Sequence, residues 1–215
     1  MTEPLNAHLV GRQGGRRDLN TPALVIDLGA LERNISAMAA FARAAGLGLR
    51  PHAKTHKSVE IARRQIAAGA VGVCCAKLGE AEALANGGIE NILITSPVVG
   101  SEAVRRVTEL SARSPGLMAA ADHPEAVAAL AATGAALTLL VDIDPGIHRT
   151  GVADPASAVA LAGQIADAPN LTFAGVQFYC GMQQHVEDFA ARKEAIEERT
   201  AYLAGIVGAL TQARL

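Results

Sequence analysis

LTLLVDIDPGIHRTG, residues 137–151, begins as an unbroken apolar run and closes on two acids, a Pro-Gly pair, a histidine and an arginine. Apolar residues at successive positions, not alternate ones, read as a strand buried on both faces, which is the habit of a parallel sheet covered by helices. The pattern recurs along the chain. Strand-like runs stand at 47–54 (LGLRPHAK), 70–76 (AVGVCCA), 91–97 (NILITSP), 116–121 (GLMAAA) and 171–179 (LTFAGVQFY). Helical segments are expected near 57–67, 78–87, 100–112, 124–133, 155–167 and 185–213. Ahead of these six units, TPALVID at 21–27 reads as a short strand, and Leu31, Ile35, Met38 and Ala42 mark one face of a helix. Strand and helix in strict alternation mean an α/β fold. No glycine-rich dinucleotide fingerprint follows the first strand, which favours a (β/α)8 barrel over a doubly wound sheet.

Composition narrows the partners. Half of the 215 residues are hydrophobic, and 19 Lys+Arg against 21 Asp+Glu give a formal net charge of −2. That balance carries no electrostatic footprint for nucleic acid, and no run approaches the roughly 18 apolar residues of a membrane span. The N-terminal 20 residues lack the apolar stretch of a secretory signal and read as a loose arm, so residues 21–215 are taken as the domain and a cytoplasmic location is expected. Cys74, Cys75 and Cys180 show no metal-binding or redox spacing and are read as packing residues.

In a barrel, chemistry gathers at the C-terminal ends of the strands. The expected strands end in His52, Lys54 and His56; in Thr95 and Ser96; in Asp142, Asp144, His148 and Arg149; and in Gln177, Tyr179, Gln183 and His185. A lysine at such a tip can condense with a carbonyl once its amine is neutral, which neighbouring cations or desolvation favour. His52, His56, Lys57 and Arg50 supply positive charge in the sequence around Lys54. The same cations would attract an anion such as a phosphate, and spacing alone does not choose between these uses.

Four motifs in order carry a resemblance: RPHAKTHK (50–57), GVCCAKLGEAEALANGGIENILIT (72–95), VDIDPGIHRTGV (141–152) and GVQFYCGMQQH (175–185). From about residue 19 onward the chain resembles the D-threonine aldolase and D-serine dehydratase family, pyridoxal-phosphate enzymes whose barrel is of the alanine racemase type. The resemblance implies that Lys54 carries pyridoxal 5'-phosphate as a Schiff base, that His52 and His56 tune the lysine or hold substrate, and that Arg149 faces the pyridine nitrogen. It also implies cofactor contacts from Tyr179 and Gln177. The activity implied is a lyase acting on β-hydroxy-D-amino acids, an aldolase for D-threonine or 3-hydroxy-D-aspartate in the first instance. The alternatives are a D-serine or D-threo-3-hydroxyaspartate dehydratase, an amino-acid racemase, or a non-catalytic pyridoxal-phosphate carrier. A homodimer and a divalent metal, Mn, Mg or Zn, belong to the same expectation.

Members of that family are longer. Here the chain stops at LTQARL, after about six strands, so the expected fold is a truncated barrel lacking the C-terminal β domain. The phosphate-binding glycine segment and the metal ligands are expected in the part not represented, and no metal ligand is named among these residues. An open barrel fragment exposes unpaired strand edges, and by itself is expected to be poorly stable and inactive.

Overall fold

The computed structural model describes residues 5–215. Five strands form one sheet in the order β1-β2-β3-β4-β5: Val73–Cys75, Ile92–Ile94, Met118–Ala121, Leu137–Ile143 and Leu171–Phe178. Every neighbouring pair is parallel. Spatial order that follows chain order, with no reversal, is the winding of a barrel; a doubly wound sheet switches direction at its centre. Among the described residues the sheet is an open arc.

Among the described residues, α1 Leu28–Ala44 and α2 Val59–Ala67 precede β1, and one helix then follows each strand: α3 Leu78–Asn86, α4 Ser101–Ser111, α5 Pro124–Ala131, α6 Pro155–Asp167 and α7 Phe189–Gln212. Local sequence starts many of them. Asp27, Ser58, Asp154 and Asp188 each accept a backbone N–H of the first turn, and His123 does the same for α5. Pro124 and Pro155 then occupy the first helical position, where the missing N–H is no loss.

The core lies between the sheet and these helices. Ile92, Leu139, Val141 and Ile143 from the strands are wholly buried against Val107 and Leu110 of α4, Val127 of α5, Ile165 of α6 and Ile206 of α7 in a single apolar cluster. Side chains from α3 and α2, including Leu84 and Ala62, extend the same cluster.

Two sequence expectations need correction. TPALVID forms no strand, and Leu24, Val25 and Ile26 are exposed. Among the described residues no strand lies beside it to take its backbone groups, and β propensity without a neighbour makes no ladder. The segment 47–54 is a frayed sheet edge. Val71 N–H donates to Leu49 O at 2.9 Å, Cys74 N–H donates to Pro51 O at 2.8 Å, and His52 forms a lone parallel bridge with Cys74. Pro51 has no N–H to continue the ladder, and the chain turns at once into a 3-10 turn, Ala53–Thr55. Five strands therefore stand among the described residues, against the six of the repeating units and the further one expected at TPALVID. On α1, Ala42 is buried and Leu31 and Ile35 half-buried as expected, but Met38 is 53% exposed. Residues 1–4 of the expected arm lie outside the described residues; from Ala7 it makes two short 3-10 turns, with Arg12 and Asp18 paired at 3.5 Å.

Ile92→Ala leaves a cavity at the centre of this core. Urea unfolding should show a loss of about 2–5 kcal/mol with an unchanged slope, whereas Leu24→Ala on the exposed segment should change stability by less than about 0.5 kcal/mol.

Candidate active site

Parallel strands in sequence order deliver their C-terminal ends to one rim, and a pocket of about 450 Å³ opens there. Its walls include His52 and Lys54, Thr95 and Ser96 after β2, Arg149 and Thr150 from the loop after β4, and Gln177 and Tyr179 at the end of β5. The Lys54 Nζ lies 5.8 Å from the centre of the Tyr179 ring, and the Arg149 guanidinium carbon lies 5.2 Å from the same centre. Two basic side chains thus approach one half-exposed aromatic ring.

The cluster of positive charge read from PHAKTHK does not stay together. His52 and Lys54 line the pocket, but His56 does not; its Nδ1 accepts the Ser58 N–H at 3.0 Å, and burial depresses its pKa. Lys57 turns to Glu80, 3.1 Å away. Arg50 donates to the carbonyl of Asn91, which precedes β2 at the opposite end of that strand from Thr95. Arg149, distant in sequence, supplies the second cation instead. Gln183 and His185 sit in a 3-10 turn and are not part of the pocket wall.

His52 is held at both ring nitrogens. Its Nδ1 accepts the Lys54 N–H at 3.3 Å, and its Nε2 lies 3.4 Å from Thr95 Oγ1. Because the Thr95 hydroxyl donates to Cys75 O at 3.0 Å, its oxygen is left to accept, which requires a proton on Nε2. Burial and then the charge of Lys54 lower the imidazole pKa, in keeping with a neutral ring.

The loop that presents Arg149 is organised by Asp144. Burial pushes this carboxyl up, but the N–H groups of His148, Gly146 and Ile147, at 3.0, 2.9 and 2.8 Å, outweigh it and hold the pKa below the usual range. His148, its side chain 85% exposed, adds an Nδ1 contact of 3.0 Å to the same carboxylate. Asp144 and His148 therefore shape the loop and leave Arg149 and Thr150 as its members at the pocket. Gly151 closes the loop at φ +102, where an added Cβ would lie 2.4 Å from Asp144 N.

Asp142 was legible only as a polar strand end; the structure joins it to the pocket wall through Gln177. It is 3% exposed and accepts Gln177 Nε2 at 2.7 Å. Burial raises its pKa, against the lowering effects of Gln177 and Thr150. The signal available in the sequence was an acid inside a run, LTLLVDI, whose neighbours are apolar. The cysteines are free thiols, and burial, then Glu80 and Cys74, push the Cys75 pKa up to about 12, which leaves it inert at neutral pH. No cluster of three or more His, Cys, Asp or Glu side chains able to hold a metal occurs among the described residues, and no helix there is long and apolar enough to cross a membrane.

The sequence profile of the alanine racemase N-terminal domain matches residues 26–213. The chain belongs to the alanine racemase N-terminal domain family. Among relatives, it is 39% identical over 198 residues to the 3-hydroxy-D-aspartate aldolase of Paracoccus denitrificans strain Pd 1222, covering 90% of this chain and 51% of that protein. Identity is 34% over 186 residues with the D-threo-3-hydroxyaspartate dehydratase of Delftia sp. strain HT23, covering 84% and 48%. The crystal structure of D-threonine aldolase from Filomicrobium marinum superposes with a TM-score of 0.89 at 40% identity, covering 92% of this chain and 55% of that one. The chain spans about half the length of the curated relatives it matches. Alanine racemase of E. faecalis, at 20% identity and a TM-score of 0.73, shares the fold.

Two changes test the family-type rim. Gly151→Ala must push the Asp144 backbone aside at a positive φ and should lower stability by more than about 1 kcal/mol in urea unfolding. The raised Asp142 pKa means that its contribution is most favourable below the ordinary Asp range and is lost as pH rises through the folded-state value. Asp142→Asn lacks that loss, so its stability relative to the parent should increase as pH rises from below the ordinary Asp range through the folded-state value; a constant difference would contradict the assignment.

Proposed function

We propose that this chain is the barrel part of a pyridoxal-phosphate-dependent lyase acting on β-hydroxy-D-amino acids, with residues 21–215 as a partial cofactor-binding domain behind an N-terminal arm. The observation that carries the reading is one amine, Lys54, and one guanidinium, Arg149, both within 6 Å of the centre of one aromatic ring at the strand ends. The fit to the cofactor rests on three features of the pocket. Its volume is in the range of small-molecule sites, its walls offer a primary amine for a carbonyl, and the buried Gln177 Oε1 has no hydrogen-bond partner in the protein.

In this reading Lys54 would hold pyridoxal 5'-phosphate through Nζ. Tyr179 would lie against it, with Arg149 and Gln177 as further contacts. When bound, the cofactor supplies an electron sink for charge that develops at the substrate Cα. The protein's own part is positional and electrostatic. His52 anchors the turn that carries Lys54, and Arg149 adds a fixed positive charge that resists protonation of a nearby ring nitrogen. Lys54 Nζ exchanges protons with the substrate amine as one replaces the other.

For an aldolase, the β-hydroxyl proton leaves, the Cα–Cβ bond breaks to release an aldehyde, and Cα gains a proton to give glycine when the substrate is D-threonine. Aldolase activity is preferred to dehydration because identity to the 3-hydroxy-D-aspartate aldolase, 39%, exceeds that to the dehydratase, 34%. A divalent metal near the β-hydroxyl would act as a Lewis acid, with ligands from outside these residues. A homodimer in the cytoplasm completes the reading. His56, which stands away from the pocket, is assigned a structural part at the start of α2.

The test is chemical trapping. The protein is incubated with pyridoxal phosphate, reduced with borohydride and digested, and the modified peptides are mapped by mass spectrometry. Label should concentrate on Lys54 and vanish in Lys54→Ala; label spread evenly over Lys57, Lys77 and Lys193 would sink the assignment. In the full-length protein, D-threonine should then yield glycine, whereas a carrier would take the label and release none.

A further inference from the structure

Beneath the pocket, one hydrogen-bond path joins residues that the motif resemblance left unconnected. Gln177 Nε2 donates to Asp142 Oδ1 at 2.7 Å and to Thr95 O at 2.9 Å. Both partners are acceptors, so the amide nitrogen must face them, and Oε1 is turned to a buried place with no protein partner. Thr95 is fixed in turn on Cys75 O, by its N–H at 2.9 Å and its hydroxyl at 3.0 Å. Its Oγ1 then takes the proton of His52 Nε2, and His52 Nδ1 takes the backbone N–H of Lys54. The path crosses the ends of β4, β5 and β2 and reaches the 3-10 turn of the lysine.

We propose that Asp142 is a positioning residue of this site: through Gln177, Thr95 and His52 it fixes the turn from which Lys54 reaches the pocket. Without the Asp142 carboxylate, Gln177 keeps one acceptor and its amide can swing about that single bond. Thr95 would then lose a fixed donor on its carbonyl, on the residue that holds His52. His52 belongs to the same assignment. With one ring nitrogen protonated toward Thr95 and the other accepting from Lys54 N–H, it is committed to holding the turn and has no free lone pair with which to take a proton from substrate. Arg149 and Asp122 are the other charges facing Asp142, from the loop after β4 and the end of β3, and neither takes the place of Gln177 as a hydrogen-bond donor to it.

The proposal rests on Lys54 as the reactive amine, and the test separates the two. Backbone amide exchange is followed in the protein without added cofactor for Asp142→Ala, Asp142→Asn and Thr95→Val. The Lys54 N–H should exchange about tenfold faster in Asp142→Ala and in Thr95→Val, the size expected for loss of about one hydrogen bond. The Cys74 N–H, which donates to Pro51 O outside the path, should not change. Asp142→Asn keeps an acceptor for Gln177 and should behave as the parent. Combining Asp142→Ala with Thr95→Val should add nothing to Thr95→Val alone, because both cut one path.

Trapping with pyridoxal phosphate and borohydride gives the second readout: the Lys54 label relative to Lys57, Lys77 and Lys193 should fall about tenfold in Asp142→Ala. A folded Asp142→Ala with parental Lys54 exchange, or one in which Lys54 and Cys74 loosen together, overturns the proposal. Should Asp142→Ala fail to fold, Gln177→Leu carries the same expectation. Coupled exchange in a parent that shows no preference for Lys54 label would uphold the positioning role and sink the cofactor reading instead.

Discussion

Parallel pairing in chain order is the constraint on which the molecule depends. Because β1 to β5 all run the same way and lie in sequence order, whatever follows each strand emerges on one rim. Thr95, Arg149 and the pair Gln177 and Tyr179 come from three separate stretches, yet they meet without any long loop to carry them. The helices are needed for the opposite reason. Each crossover covers the outer face of the sheet and so permits strands with no polar face, such as Ile92–Ile94, whose three residues are all buried.

That division explains what could be read in advance. LTLLVDI is legible as a strand because every second residue, Leu137, Leu139, Val141 and Ile143, is apolar and buried, while Thr138 and Leu140 between them are half-buried and only Asp142 interrupts the run with a buried acid. The helix starts are legible too, since Asp154-Pro155 and Ser58 act through their own first turns. TPALVID was not, because strand formation is a property of two segments and only one is written there. Pro51 gave a warning in LGLRPHAK, for a residue without an N–H ends a ladder wherever its partner stands.

The site was legible as a set of residues and illegible as a geometry. Lys54, Arg149, Tyr179 and Gln177, all named in the sequence, line one pocket, but charge counted along the sequence misjudged which cations gather there. Lys57 and Arg50 lie within four residues of Lys54 and both turn away, one to Glu80 and one to the Asn91 carbonyl. A 3-10 turn of three residues is enough to send successive side chains in unrelated directions, and no period of 2 or 3.6 describes it. Asp142 was missed as a participant for a related reason. Its importance lies in Gln177, which stands 35 positions away.

A carboxyl buried to 3% exposure is an expensive component unless it is hydrogen-bonded, and the structure supplies a neutral donor, Gln177, at 2.7 Å. Neutral donors stabilise the charged form less than a guanidinium would, and the raised pKa is the visible consequence. What that expense secures is direction. An amide between two acceptors has a single sensible orientation, and a histidine between one acceptor and one donor has a single tautomer. Neither group can be replaced by an apolar residue of equal volume without returning that freedom. The one unsatisfied atom left by this arrangement, Gln177 Oε1, lies on the residue that joins buried Asp142 to the pocket wall, the place where a bound molecule bearing a hydrogen-bond donor would complete the network.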